Sequence, residues 1–213
     1  MAFTPERIIA AIVNPMGRLL TATLLLFLGA AALLVPYQGR SRVTLSGTVL
    51  KNPKPAPDFT LHTAGNRPFS MHDLRGQVVL LFFGYTRCPD ICPMTMYRLG
   101  EIYRALGRPK DLRVLMITVD PERDDPDATD RYAKLFDPSF IGLSGSPEAI
   151  AEVAARYYVY SSKDERGLVD HTATVTLVDS RGMIRIYYGQ EDIDQVERVV
   201  EDLRFILANG GSF

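Results

Sequence analysis

The chain has few of the residues that build metal clusters and disulfide scaffolds. It contains two cysteines and three histidines in 213 residues. Two cysteines exclude a disulfide-rich framework, and three histidines exclude a His-rich multi-metal centre. There is no excess of charge of either sign, since 24 Lys and Arg stand against 25 Asp and Glu for a formal balance of -1. A sequence-independent nucleic-acid binder needs surplus cations to neutralise phosphates, so that class is set aside. No internal repeat and no low-complexity tract is found. The chain is 46% hydrophobic and 23% charged, enough apolar material for one folded domain and an appendage.

The appendage is N-terminal. Leu19 to Val35 is a run of 17 residues without a charge. As a helix it covers roughly 26 Å at ~1.5 Å per residue, slightly less than the ~30 Å bilayer core; Pro36 and Tyr37 close most of the gap. Arg7 and Arg18 precede the run, which keeps the N-terminus cytoplasmic and places the chain after Tyr37 outside the cytoplasm. Three readings compete: an uncleaved anchor, a signal peptide cleaved near Ala30-Ala31-Ala32, and a buried core helix. The run has no polar face, which disfavours the core helix, and no cysteine stands close after it, as lipid attachment would require. The anchor is preferred. The expected organisation is a cytoplasmic segment over 1–18, a transmembrane anchor over 19–37, a linker over 38–57 and a globular domain over 58–213. Within the linker, Arg42 to Leu50 offers a short hairpin about Ser46-Gly47, and Asn52 to Pro57 is stiff and extended because each proline fixes φ.

The globular part alternates in period. Val78 to Phe83 is a continuous apolar run, as a strand covered on both faces requires. Val114–Val119, Ala173–Val178 and Met183–Tyr188 are further strands, the last two joined by a turn at Ser180-Arg181-Gly182. Helical stripes run through Met96, Leu99, Tyr103 and Leu106, through Ala128, Tyr132, Leu135 and Phe136, and through Ile150, Val153, Ala154 and Tyr157. Ser146-Pro147 caps the third of these. A last stripe from Ile193 to Leu207 makes one final helix. The order βαβα(α)ββα predicts an α/β protein of thioredoxin-like fold, with parallel pairing across the helices and an antiparallel closing hairpin.

Both cysteines fall at the end of the first buried strand, in Gly84-Tyr85-Thr86-Arg87-Cys88-Pro89-Asp90-Ile91-Cys92-Pro93. Sites in open α/β sheets form at the carboxyl ends of strands, and a helix N-terminus just beyond favours thiolate over thiol. Each cysteine precedes a proline, which disfavours the α region. The pair is therefore expected on a wound loop, with Pro93 as the first helical residue. A structural disulfide here would close a short loop worth only about 2 kcal/mol. That reading and a chance pair of thiols are weaker than a redox-active dithiol or a soft-metal site. His171, in Val169-Asp170-His171-Thr172 directly before a strand, is the best third ligand. Two sulfurs and one imidazole suit copper, whereas a structural zinc would want a fourth protein ligand.

Blander roles fit the remaining candidates. His62 and His72 read as surface residues and Met96 as core packing. Met94 could offer a thioether but reads as structural. Asp90 is evenly balanced between capping the helix and giving an oxygen to oxidised copper. The acidic run Glu122, Asp124, Asp125, Asp127, Asp130 reads as a solvated loop and helix start.

Over residues 55–208 the chain resembles the Sco/SenC family of copper chaperones for cytochrome c oxidase. The resemblance rests on Ala56-Pro57-Asp58-Phe59, on Phe83 through Pro93, on Val119-Asp120-Pro121-Glu122-Arg123-Asp124 and on Val169 through Ala173. It implies copper, Cu(I) or Cu(II), held by Cys88, Cys92 and His171. It implies delivery to the dinuclear copper centre of oxidase subunit II, or reduction of that centre's cysteines by the Cys88–Cys92 pair. Its partners would be the subunit II copper domain, a thiol reductant, another copper chaperone and the cell membrane. Arg87 stands where relatives often carry His, and Ala173 stands where thioredoxins carry a cis-proline, which weakens general oxidoreductase activity. The expectation is a metallochaperone more than an enzyme. A peroxiredoxin-like peroxidase would want Thr three residues before the nucleophile, and Tyr85 occupies that place.

Overall fold

The computed structural model describes residues 44–163 and 169–211. The expected cytoplasmic segment and transmembrane anchor lie outside the described residues. Among the described residues no helix is long and apolar enough to cross a membrane.

The sheet is built on the apolar run that the sequence marks most strongly. Strand β4 (Val78–Gly84) is buried at every position. It pairs in parallel with β5 (Leu112–Thr118), which pairs in parallel with β6 (Ile141–Leu143). On its other side it pairs antiparallel with β9 (Val175–Val178), followed by β10 (Met183–Tyr188) and then β1 (Thr48–Pro55). The order is β1-β10-β9-β4-β5-β6. Alternate residues of β4 enter opposite cores because side chains alternate across a strand. Val78, Leu80 and Phe82 face one core, with Met96, Leu99 and Ile102 of helix α1 (Ile91–Ala105) and Val199, Leu203 and Ile206 of helix α5 (Val196–Ala208). Val79, Leu81 and Phe83 face the other, with Ile150, Val153 and Ala154 of helix α3 (Pro147–Arg156). Both faces are therefore covered, which explains a strand without polar alternation.

Several expected boundaries move. The final stripe is broken: Gln190–Ile193 forms a short helix, α4, and α5 starts at Val196. Residues 48–55, read as linker, are an edge strand of the main sheet, with a register shift between Val49 and Lys54. Among the described residues Ser46-Gly47 makes no local hairpin. Ser46 instead binds the Asp202 carboxylate of α5, through its N–H at 2.9 Å and through its hydroxyl. Pro53 and Pro55 are tolerated because an edge strand leaves one side of its ladder unused. The pairs β2 (Thr60–Thr63) with β3 (Arg67–Ser70) and β7 (Ser161–Lys163) with β8 (Val169–His171) are additional two-stranded ribbons. They are too short and polar to give a periodic signal.

Candidate metal centre

The chain leaves β4 at Gly84 and enters α1 at Ile91. The loop between them is turned by a bond from the Cys88 N–H to the Tyr85 carbonyl at 3.3 Å. Helix α1 begins two residues earlier than expected, so Cys92 sits inside its first turn and not on a loop. The physical reason is that Pro93 falls at the third helical position, where the N–H it lacks would have had no intrahelical partner. Such an orphan donor is used at once: the Cys92 N–H points at the Cys88 sulfur at 3.4 Å. The two sulfurs are not joined as a disulfide.

The cysteines meet different surroundings. Cys88 is half-buried and Cys92 fully buried. Gly84 makes the second position possible, since a Cβ there would come within 2.6 Å of the Phe82 ring and 3.2 Å of the Cys92 sulfur. Burial pushes the Cys92 thiol far above the ordinary cysteine range, and the neighbouring Cys88 and Asp124 push it further the same way. At Cys92 desolvation therefore outweighs the helix N-terminus, against the expectation of a thiolate.

The acidic run does not behave as a solvated loop throughout. Asp124 and Asp130 are buried. Asp124 accepts from the Thr86 N–H at 2.8 Å, the Thr86 hydroxyl at 2.5 Å and the Thr118 hydroxyl at 2.9 Å. It thereby fastens the cysteine loop to the end of β5. Asp130, on helix α2 (Pro126–Lys134), accepts from Thr63 at 3.1 Å and pairs with Lys134. Composition alone hides this, because Thr86, Thr118 and Thr63 reach these carboxylates from other elements.

Two phenols border the sulfurs. Tyr85 is buried, and its hydroxyl accepts a hydrogen bond from the Val169 N–H at 3.3 Å. This ties the cysteine loop to β8, two residues before His171. Strand β8 pairs with β7 so that His171 stands opposite Ser161. The His171 side chain lies outside what the structure describes. The second phenol, Tyr132 of α2, is half-buried; burial first, and then the charges of Cys92, Cys88 and Asp124, raise its pKa. The sequence marks neither tyrosine for chemistry, although Tyr85 lies inside the cysteine motif and Tyr132 on a helical stripe. Among the described residues no group of three or more His, Cys, Asp or Glu is arranged to hold a metal ion.

The other candidates fall mostly as expected. Met96 is fully buried and Met94 is 46% exposed beside the loop. His62 exchanges backbone bonds with Ser144 at 2.8 and 2.9 Å. His72 is exposed in the 71–74 turn, its N–H on Asp58 at 2.9 Å. Asp90 holds the N-cap position of α1 without a side-chain capping bond.

A pair of adjacent cysteines, set where a central strand of a mixed sheet hands over to a covering helix, defines a thioredoxin-like protein with a Cys-x3-Cys site. Residues 48–208 match the SCO1/SenC family, and the chain belongs to that family. The mitochondrial SCO2 homolog of Mus musculus is 39% identical over 159 residues, covering 71% of this chain and 62% of that protein. The chain thus spans about three-fifths of the length of the mammalian SCO2 relatives and about half of the mammalian SCO1 relatives. Among solved structures, apo Sco1 of Thermus thermophilus has a TM-score of 0.71 at 44% identity, covering 78% of this chain and 99% of that one. Copper-bound ScoI of Arabidopsis thaliana has a TM-score of 0.65 at 35% identity, covering 71% and 99%.

Proposed function

We propose that this protein is a membrane-anchored, extracytoplasmic copper chaperone that helps assemble the dinuclear copper centre of cytochrome c oxidase subunit II. Copper is its cargo, and Cys88, Cys92 and His171 are the ligands. The observation that carries the reading is the adjacency of the two sulfurs, with the Cys92 N–H directed at the Cys88 sulfur at 3.4 Å. Two soft donors side by side suit copper and are a poor match for hard cations. The copper held by the Arabidopsis relative supports the same choice. Support for His171 comes from its motif and from the Tyr85 link to its strand. Support for the anchor comes from the uncharged run over 19–35.

The chain's own residues divide the work. Cys88, the more open sulfur, offers the way in. Cys92 gives up its proton as it becomes a ligand. Asp124 holds the loop that carries Cys88, and the β7–β8 ribbon brings the third ligand. In an oxidising compartment the pair needs a dedicated thiol reductant to stay competent.

Copper titration of the reduced protein tests this. One tight equivalent is expected. Cys88→Ser, Cys92→Ser and His171→Ala should each weaken binding by more than the about 10–100-fold that loss of an outer partner costs. Unchanged stoichiometry and affinity in all three would overturn the assignment. A second reading is favoured by the same adjacency: the pair reduces a partner disulfide, giving two electrons and two protons and becoming a disulfide itself. That chemistry needs both cysteines but not His171. Retained oxidase copper in cells carrying His171→Ala would favour it, and lost oxidase copper would favour the chaperone.

A further inference from the structure

The side of the sheet that carries α3 bears an aromatic surface that folding does not explain. Tyr158 and Tyr160 are 68% and 69% exposed. Tyr158 stands just past the end of α3. The Val159 N–H bonds the Ala154 carbonyl at 2.8 Å, and the Tyr158 N–H bonds the Ala155 carbonyl at 3.1 Å. That pairing closes a helix through one left-handed residue, a place glycine normally takes. Tyr158 holds it at φ 60°, a conformation that bulky residues rarely adopt. Its ring gains neither burial nor backbone ease from standing there. Lys54 of β1 lies over that ring, with its Nζ 5.5 Å from the centroid. The ring walls an open groove of about 250 Å³ shared with Thr48, Thr172, Thr176 and Tyr187. Tyr160 is tied to the same place, since its carbonyl accepts from the Thr172 N–H at 3.0 Å.

The groove also marks where the chain enters the fold. Thr48 lies two residues past Ser46, whose N–H is fixed on the Asp202 carboxylate at 2.9 Å. The anchor assigned above ends at Tyr37. The nine residue steps from there to Ser46 span at most about 32 Å when fully extended. A domain of this size is about 40 Å across. Tethered so closely, it cannot hold Ser46 on its far side, so the surface beside Ser46 is the one a bilayer meets. That surface has the matching chemistry. Tyrosine joins an apolar ring to a polar tip and collects at membrane–water interfaces. A lysine stem covers apolar surface while its ammonium reaches headgroup phosphates.

We propose that the face carrying Tyr158 and Tyr160 docks on the headgroup layer of the bilayer that holds the anchor. It rests on the membrane anchor of the proposed function. Thr172 follows His171 in sequence, so the docked face borders the ribbon that bears the third ligand, and cargo is exchanged at the membrane surface.

The chain contains no tryptophan, so one substitution installs a single fluorescent reporter. The full chain is placed in nanodiscs of phosphatidylcholine and phosphatidylglycerol, with or without lipid brominated on its acyl chains near the headgroup. Tyr158→Trp and Tyr160→Trp should each emit at shorter wavelength in discs than in detergent-free buffer with the fold denatured, and each should lose emission to bromine. Leu135→Trp is the control. Leu135 is 78% exposed at the end of α2, beside Phe136, which packs on the opposite core. Its emission should ignore the bromine. Equal quenching at all three positions overturns the proposal, and so does none at the two tyrosine positions. Absent quenching together with lost oxidase copper in cells carrying Tyr158→Ser and Tyr160→Ser would give the surface to a protein partner instead. If the unmutated chain does not enter the discs, the anchor falls and the proposal falls with it. Entry into the discs without quenching sinks the proposal alone.

Discussion

Cys88 and Cys92 stand four residues apart and differ in chemistry because one faces the opening and the other lies behind it. The fully buried Cys92 is pressed toward its neutral form by desolvation first, and then by the charges of Cys88 and Asp124. Its folded-state pKa is raised above the unfolded value. The resulting stability is complete below the ordinary cysteine value of about 8.5 and is lost as pH rises above it. The metal-free reduced protein should therefore unfold more easily as pH goes from about 8.5 to 10, with a slope approaching about 1.4 kcal/mol per pH unit for one proton. Denaturant titrations across that range check this, and Cys92→Ala should flatten the slope. An equally steep slope in the variant would place the proton elsewhere. At this scale the sequence is legible for the donor types and their spacing, which need only the motif. Burial is not legible. The acidic run carries no sign that Asp124 turns inward, because Thr86 and Thr118 satisfy it from other elements.

The elements around the site are joined by named contacts, and each has an identifiable cost. Tyr85 carries the link between the cysteine loop and the ribbon that bears His171, through the Val169 N–H at 3.3 Å. Tyr85→Phe leaves that buried N–H without its acceptor, at a cost of about 1–3 kcal/mol. The metal-free variant should lose stability by that amount, and hydrogen exchange at the Val169 amide should speed up. The elements themselves are legible where length and period agree. Strand β10 matches its expected bounds, and β4 extends only to Gly84. The start of helix α1 is not legible, because a proline can stand at any position of a helix's first turn, where the N–H it lacks has no intrahelical partner. The ribbons leave no trace because strands of three or four residues carry too few positions to show alternation.

On the scale of the molecule, the two cores are stacked on β4, and the sheet needs cover at its β10 edge. Reading residues 38–57 as a linker makes a boundary at 58 look harmless. The structure places β1 along β10, pairing Thr48 with Tyr187 and Pro55 with Met183. It also joins Ser46 to Asp202, the Ala56 N–H to the Gly182 carbonyl at 2.9 Å, and the Tyr157 hydroxyl to the Pro57 carbonyl at 2.8 Å. Composition could not reveal this, since two prolines in an exposed strand look the same as two prolines in a spacer. A chain begun at residue 58 strips β10 of its partner and leaves Asp202 and Tyr157 short of bonds. An open, hydrogen-bonding strand edge is also a template for association between copies. A chain begun at residue 44 keeps all of these contacts. The longer chain should melt in one cooperative transition, and the shorter should melt lower and associate as its concentration rises. Equal melting temperatures and equal sedimentation for the two would show that β1 is a spacer after all, and that the sheet edge is stable without it.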